Sequence, residues 1–334
     1  MGVITTDNID GLLKTAFVGP INKSIEDGTM LLKQLAWTNK SRIKGSKTIK
    51  HPINLIRNTS TGFRGGSSEG LPAVAPAVVA QAQTVLTSLY AYVEFYGDTL
   101  RITADDIGAF AREFKFEIVS LKDSLRMEIN RAGYGTKSGS LGQIASVSNA
   151  GVITLRTSAT ESNPPNMRWF ERGMWIDIRD ATNNYASLVY STTYDTGFKI
   201  IGIDRTLGTI TVGDSDGNAV DLTNTSTILT AAAAAGDIVT IWGNYNKEPY
   251  GLGAICDDGT KAASFLGIAE SSYERWQAYV QTNNNTPTTI TEDMLQNALD
   301  EIDIFGGRKI CITTKGVRKQ IARLVKNTMI EPST

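Results

Sequence analysis

Lys40-Ser41-Arg42-Ile43-Lys44-Gly45-Ser46-Lys47-Thr48-Ile49-Lys50-His51-Pro52-Ile53-Asn54-Leu55-Ile56-Arg57, running on to Arg64, sets the architecture of this chain. It holds seven basic residues, Lys40, Arg42, Lys44, Lys47, Lys50, Arg57 and Arg64, and no acid. Glycines follow at 62, 65, 66 and 70, and the chain returns without Lys or Arg. The outgoing limb spaces Ile49, Ile53 and Leu55 two or four apart; the return limb alternates through Val85, Thr87, Leu89, Ala91, Val93 and Phe95. Period two is the mark of an extended strand, so the two limbs predict a hairpin. Its turn, roughly Thr59 to Pro76, is far longer than a compact domain uses, which predicts a projecting arm. Two strands alone are marginal in water, so a neighbouring subunit is expected to supply a covering layer. A surface loop of solvated lysines is the alternative reading.

Working outward, the strongest periodic signal lies just beyond. Thr103-Ala104-Asp105-Asp106 has the spacing of a helix capping box, and Ile107, Phe110, Phe114, Ile118, Leu121, Leu125 and Ile129 then recur at threes and fours. A helix is predicted from Ala104 to Arg131, about 40 Å long and stopped by Gly133 and Gly135. Upstream, residues 1–40 read as a terminal arm, with Asp7 capping Ile9 to Phe17 and an apolar patch through Met30, Leu31, Leu32, Leu35 and Trp37.

After Lys137 the character changes. Short apolar runs such as Met174-Trp175-Ile176-Asp177-Ile178 and Ile238-Val239-Thr240-Ile241-Trp242 alternate with turn residues at the spacing of a sandwich or barrel, so 138–246 reads as an inserted all-β domain. The last segment predicts a helix from Thr291 through Ile302, a buried strand from Lys309 to Thr313, and a helix from Lys315 to Lys326 with Val317, Ile321, Leu324 and Val325 inward.

Composition bounds the function. At 334 residues the chain is long enough for two or three domains. Cys256 and Cys311 are too few for a disulfide framework and are expected to be buried, inert thiols. No charged-then-apolar leader and no run of eighteen apolar residues is present, which predicts a soluble protein with no membrane partner. The net charge of −1 hides an asymmetry: residues 40–64 carry +7, whereas residues 138–246, with six bases and ten acids, carry −4. Copies of the chain are therefore expected to attract one another.

Catalytic and cofactor signatures are weak. His51 is the one histidine, so a multi-histidine metal site is excluded, and a histidine relay would have to use a residue of the basic arm. Asp214-Ser215-Asp216-Gly217-Asn218 begins like a calcium loop, but Thr225 stands where its closing acid belongs, and a β-turn explains it better. Gly62-Phe63-Arg64-Gly65-Gly66 and Gly251-Leu252-Gly253 lack the endings of phosphate or dinucleotide loops. No enzyme activity, metal or cofactor is expected. The basic limb lacks aromatic platforms for bases, which favours contact with an acidic protein neighbour over nucleic acid.

The order of terminal arm, glycine-tipped hairpin, spine helix, inserted β domain and α/β region resembles the major capsid proteins of tailed bacteriophages. So do Asn246-Lys247-Glu248-Pro249-Tyr250-Gly251-Leu252, Phe265-Leu266-Gly267-Ile268 and Ser272-Tyr273-Glu274-Arg275-Trp276-Gln277-Ala278, and the segment Thr291 to Leu299 with Gly306-Gly307 and Ile310 to Arg318. Bacterial encapsulins and herpesvirus capsid floors share that fold. The resemblance implies an α+β chain divided into an N-terminal arm (1–40), an extended hairpin loop (41–97), a peripheral domain with the spine helix (98–137), the inserted β domain (138–246) and an axial domain (247–334). In the family the chain usually runs on past the position of Lys326, so the axial domain is expected to be incomplete here.

The resemblance further implies a structural protein that self-assembles into hexamers and pentamers of an icosahedral shell. That shell encloses double-stranded DNA, contacts it nonspecifically, and forms in the host cytoplasm with scaffold, portal and decoration proteins as further partners. The residues expected at contacts between subunits are Lys44, Lys47, Lys50, Arg57 and Arg64. Two other readings stay open: an encapsulin-like nanocompartment shell, and a carbohydrate-binding tail protein using Trp169, Trp175 and Trp242 as stacking platforms, although such tryptophans are more often core residues.

Overall fold

A computed structural model describes Leu31 and residues 48–63, 73–91, 107–156, 167–190, 197–225, 229, 231–257, 264–281, 288–302 and 309–328. Apart from Leu31, the expected N-terminal arm lies outside these residues, as does the capping box at Thr103 to Asp106.

Strands β1 (Thr48–Ile56) and β2 (Val78–Val85) pair antiparallel, with Ile49 opposite Thr84, His51 opposite Ala82 and Ile53 opposite Ala80. Beyond them the Thr59 amide donates to the Ala75 carbonyl at 3.2 Å, and the Ala75 amide to Ser60 Oγ at 2.7 Å, so the two limbs stay together towards the tip. At about 3.3 Å per residue the limb from Thr48 to Thr59 reaches roughly 36 Å. The return strand lies earlier than the alternation from Val85 to Phe95 suggested. Its inward positions are Ala80 and Ala82, too small to stand out as a hydrophobic pattern, whereas Leu89 and Tyr90, read as strand, are exposed and outside any strand.

Helix α1 spans Ile107–Tyr134 and ends three residues later than the spacing predicted; the expected start at Ala104 lies outside the described residues. Among its described side chains, Ile118, Leu121, Leu125 and Ile129 are half-buried, and Arg131 and Ala132 are fully buried. The C-terminal turn is therefore a point at which the spine is fastened.

Residues 140–241 contain a closed antiparallel barrel with strand order β3-β4-β7-β6-β5-β8. Its strands are β3 (Ser140–Val147), β4 (Val152–Leu155), β5 (Trp175–Arg179), β6 (Phe198–Asp204), β7 (Thr209–Gly213) and β8 (Ile238–Ile241). Strand periodicity sends Ile153 and Leu155, Ile176 and Ile178, Phe198 and Ile200, and Ile210 and Val212 to the interior, where each is at most 2 % exposed. Each such side chain contributes roughly 1.5–3 kcal/mol on burial. Register shifts at Ile144/Ser146, Ser140/Gly142 and Ile200/Gly202 supply bulges, which bend short strands enough to close.

Two buried carboxylates fasten the barrel's connections. Asp237 accepts from the amides of Ala181 and Ala234, both at 2.9 Å. Asp177 accepts from Tyr190 Oη at 3.0 Å and the Gly243 amide at 2.8 Å. Burial pushes both carboxyls above the ordinary carboxylate range despite these bonds. Burial, with the neighbouring Asp177 charge, pushes the Tyr190 phenol up to about 12.

After the barrel come helix α2 (Leu252–Ile255), the short antiparallel strands β9 (Ser264–Phe265) and β10 (Ile268–Ala269), helix α3 (Glu292–Ile302) and helix α4 (Lys315–Thr328). Leu266 and Gly267, at φ 51° and 82°, form the two-residue turn between β9 and β10. The strand expected over Lys309 to Thr313 is not formed: the stretch is irregular and exposed, with Ile310 and Ile312 at least half accessible, because no neighbouring strand among the described residues offers it a ladder. Val317, Ile321 and Leu324 are half-buried, but Val325 is exposed. The cysteines also differ from expectation: Cys256 and Cys311 are both exposed, one at the end of α2 and the other in that irregular stretch.

Candidate functional site

The hairpin has one covered face and one open face. On the covered face Leu55, Ala82 and Ile268 are buried together, and Ile53, Ala80, Leu266, Tyr273 and Trp276 pack around them. The Gln83 amide, on the outer edge of β2, donates to the Leu266 carbonyl at 2.8 Å. Trp276 donates its indole N–H to the Phe265 carbonyl at 3.3 Å and lies over the Phe265 ring, centroids 5.6 Å apart. The layer expected from a neighbouring subunit is thus supplied, on this face, by residues 264–276 of the same chain. A strand pair needs one apolar face covered, and a two-strand strap with a Trp is enough to do it.

The opposite face holds Lys50, Asn54, Gln81, Gln83, Val79 and Val85, of which the two valines are 60 % and 56 % exposed. No acid occurs in residues 48–63 or 73–91, so among the described residues of the hairpin Lys50 and Arg57 give this face and its outer end a net positive charge. Both are exposed. Seven positions along a strand separate them by about 23 Å, so they mark the length of the arm and do not form one cluster. Lys44, Lys47 and Arg64 lie outside the described residues. Near the tip Phe63 is fully exposed and Val74 is 88 % exposed.

The hairpin's support joins the spine and barrel through a polar hub that the sequence reading missed. Arg131, 7 % exposed in the last turn of α1, reaches Glu248, 5 % exposed, with two bonds: Nη1 to Oε2 at 3.3 Å and Nη2 to Oε1. Its Nε and Nη2 also donate to Glu128 Oε2 at 3.1 and 2.9 Å, and Asn244 Nδ2 donates to Glu248 Oε1 at 2.6 Å. Burial works against the Arg131 charge, but the hydrogen bond and charge of Glu248, together with Glu128, outweigh it and raise its pKa above the ordinary guanidinium value.

Two positions later in the same motif, Tyr250 bridges to Thr136 and meets Phe265 edge-on at 5.3 Å between centroids. Gly251 is required by close approach: an added Cβ would stand 2.7 Å from the carbonyl oxygens of Gly133 and Gly135 and still nearer that of Ala132. Residues 250 and 251 therefore pack on the end of the spine, and residues 266–276 pack on the face of the hairpin. A cavity of about 500 Å³ borders the hub, lined by Leu89, Ile129, Arg131, Glu248 and Ile255, with Leu31 buried against Gly133. The signal for this hub was present as Glu248 beside Pro249, but nothing local pairs it with a residue 117 positions earlier.

The remaining candidates carry less. His51 is exposed in β1. Asp214 accepts the amides of Asp216 and Asn218 at 3.0 and 2.8 Å, a side-chain turn, and the Asn218 amide foremost holds its pKa below the ordinary range. Of the three tryptophans proposed as platforms, Trp169 packs against the barrel core, Trp175 is half-buried with Lys199 Nζ 5.8 Å from its ring centroid, and Trp242 is half exposed. Among the described residues no cluster of three or more His, Cys, Asp or Glu is placed to hold a metal, and no helix is long and apolar enough to cross a membrane.

The chain matches no protein-family model, no curated protein and no solved structure. Any functional reading therefore rests on the chain's own residues.

Proposed function

We propose that this chain is a structural shell protein, a major capsid protein like those of tailed bacteriophages, whose function resides in contacts between copies. The observation that carries the reading is the hairpin: one face sealed by the chain itself, the other open, cationic and partly apolar, on an arm roughly 36 Å long. An enzyme gains little from such an arm, whereas an assembly uses it to reach a neighbour. The direction of charge supports this, since residues 138–246 carry −4 and offer a complementary surface on the next copy. The hub of Arg131 and Glu248 supports it further, because a lever transmits contact only when its base is rigid.

In this reading the barrel is an inserted domain whose acidic surface receives the arm of the next copy, and packaged DNA is held nonspecifically. Negative-stain electron microscopy of the purified protein after gel filtration tests the proposal. Closed shells tens of nanometres across are expected, and co-purifying DNA separates a virion from an encapsulin-like compartment loaded with an enzyme. A monodisperse monomer would overturn the shell reading.

A further inference from the structure

A second cavity, of about 260 Å³, lies between the barrel and the segment that leaves it. Strands β3 and β8 and the connection at Tyr185 border it on the barrel side; Tyr250, α2 and Phe265 of β9 border it on the other. One chain supplies this lining, so the site goes beyond the shell reading and does not depend on it.

The lining has a definite chemistry. Tyr185, Tyr245, Tyr250 and Phe265 supply aromatic surface, and serine hydroxyls, including Ser140 and Ser264, join those of the tyrosines. A hydroxyl both donates and accepts, and it turns to suit its partner. Among the described lining residues the one charged side chain is that of Asp257, 3 % exposed, and there is no Lys, Arg or His. An anion would meet an acid there and no lining cation. Tyr185 Oη and Ser264 Oγ make no hydrogen bond among the described residues, so both are available to a ligand.

The chain itself fixes the rings. Tyr250 Oη accepts from Lys137 Nζ at 3.3 Å, and Tyr250 meets Phe265 edge-on. Tyr245 Oη donates to the Asn184 carbonyl at 3.4 Å, with the Arg179 guanidinium 4.8 Å from its ring centroid. The Tyr185 amide donates to the Asp180 carbonyl at 2.9 Å.

Backbone strain gathers at the same place. Among the described residues five that are not glycine have positive φ: Lys137 at 74°, Asn184 at 51°, Tyr185 at 62°, Asn246 at 57° and Leu266 at 51°. Tyr185 lines the cavity, and each of the other four adjoins a residue that does. Turn geometry suits asparagine and accounts for Leu266, but Lys137 and Tyr185 are side chains that this region disfavours. Such a backbone persists only where its surroundings enforce it, and it is common at ligand clamps.

We propose that this cavity binds one uncharged sugar ring, its C–H face against the tyrosines and its hydroxyls bonded to Tyr185 Oη and Ser264 Oγ. The volume falls below the roughly 300–1,000 Å³ of sites for drug-sized molecules, so it admits one ring with its substituents and not a chain of them. The hydroxyl-rich lining favours a sugar over a nucleobase, and the lack of a lining cation favours it over a phosphate or carboxylate ligand.

Saturation-transfer difference NMR on the full chain tests this with four probes in turn: methyl α-D-glucopyranoside, methyl β-D-galactopyranoside, methyl α-D-mannopyranoside and N-acetyl-D-glucosamine. At least one is expected to receive saturation at millimolar concentration. Tyr185→Phe removes a single hydroxyl and keeps the ring, and is expected to weaken binding about tenfold, as loss of one hydrogen bond does. Tyr185→Ala is expected to abolish the signal, with far-UV circular dichroism checking that the barrel is retained. Trp242→Ala, outside the cavity, is expected to leave it unchanged.

No transfer to any of the four sugars would mean that the cavity holds water only, and would overturn the proposal. So would a signal that survives in folded Tyr185→Ala or is unchanged in Tyr185→Phe. A signal lost in Trp242→Ala and kept in both Tyr185 variants would place the sugar on the barrel surface instead. Competition by inorganic phosphate would show an anion site and overturn the uncharged class.

Discussion

Arg131 and Glu248 form a buried, two-pronged ion pair between the last turn of the spine helix and the point where the chain leaves the barrel. Around it gather the supports of the hairpin, the barrel and α2. A buried pair of this kind adds little net stability over an apolar replacement, yet losing one member strands the other charge away from water.

Glu248→Ala is accordingly expected to cost about 3–5 kcal/mol by leaving Arg131 uncompensated. Arg131→Leu combined with Glu248→Leu is expected to cost less than either single change. Urea unfolding of the three variants checks this, and a double variant as unstable as the sum of the singles counts against an isolated pair.

Leu55→Ala removes a side chain only 2 % exposed between the hairpin and Ile268. A loss of about 2–5 kcal/mol in the docking of the hairpin is expected. Hydrogen exchange should quicken at the Gln83 amide, which bonds to Leu266, while amides of the barrel strands keep their protection. Equal acceleration in both places would mean that hairpin and barrel unfold as one unit.

Lys50→Glu with Arg57→Glu reverses the two exposed charges of the open face and outer end without touching the covered side. Assembly is expected to slow and to lose its dependence on salt, with far-UV circular dichroism unchanged, because complementary charge chiefly governs association rate. Light scattering against ionic strength reads both; unaltered kinetics would remove the arm's electrostatic role.

Asp177 gives a pH dependence of definite sign. Burial, opposed by the Gly243 amide, Tyr190, Arg179 and Lys247, raises its folded-state pKa above the unfolded value. The native state then binds the proton more tightly, so this group lowers stability above its folded pKa and the loss is relieved as pH falls towards the unfolded value of about 3.9. The stability difference between wild type and Asp177→Asn should therefore shift in favour of the wild type on acidification through that window. A difference that is flat with pH, measured by urea unfolding, contradicts the raised pKa.

Much of the architecture is legible along the chain because it is local. Period two in residues 49–55, period 3.6 from Ile118 to Ile129, and short alternating runs between glycines from 140 to 241 each arise from neighbours a few residues apart. They determine hairpin, helix and barrel strands before any contact across the chain is known. The same rule explains the misplaced return strand, since Ala80 and Ala82 bury well but carry too little apolar surface to register as a pattern.

What only the tertiary structure decided depends on residues far apart. Glu248 looks like any exposed acid until Arg131 is brought beside it, and Gly251 looks like a turn until the carbonyls of Gly133 and Gly135 close on it. The covered face of the hairpin came from residues 264–276 because Ile268 and Trp276 fit against Leu55 and Ala82, a match of shapes that no periodicity encodes. Local pattern is written in the spacing of side chains, whereas the choice of partner is made by packing and desolvation, which exist only once the chain has folded.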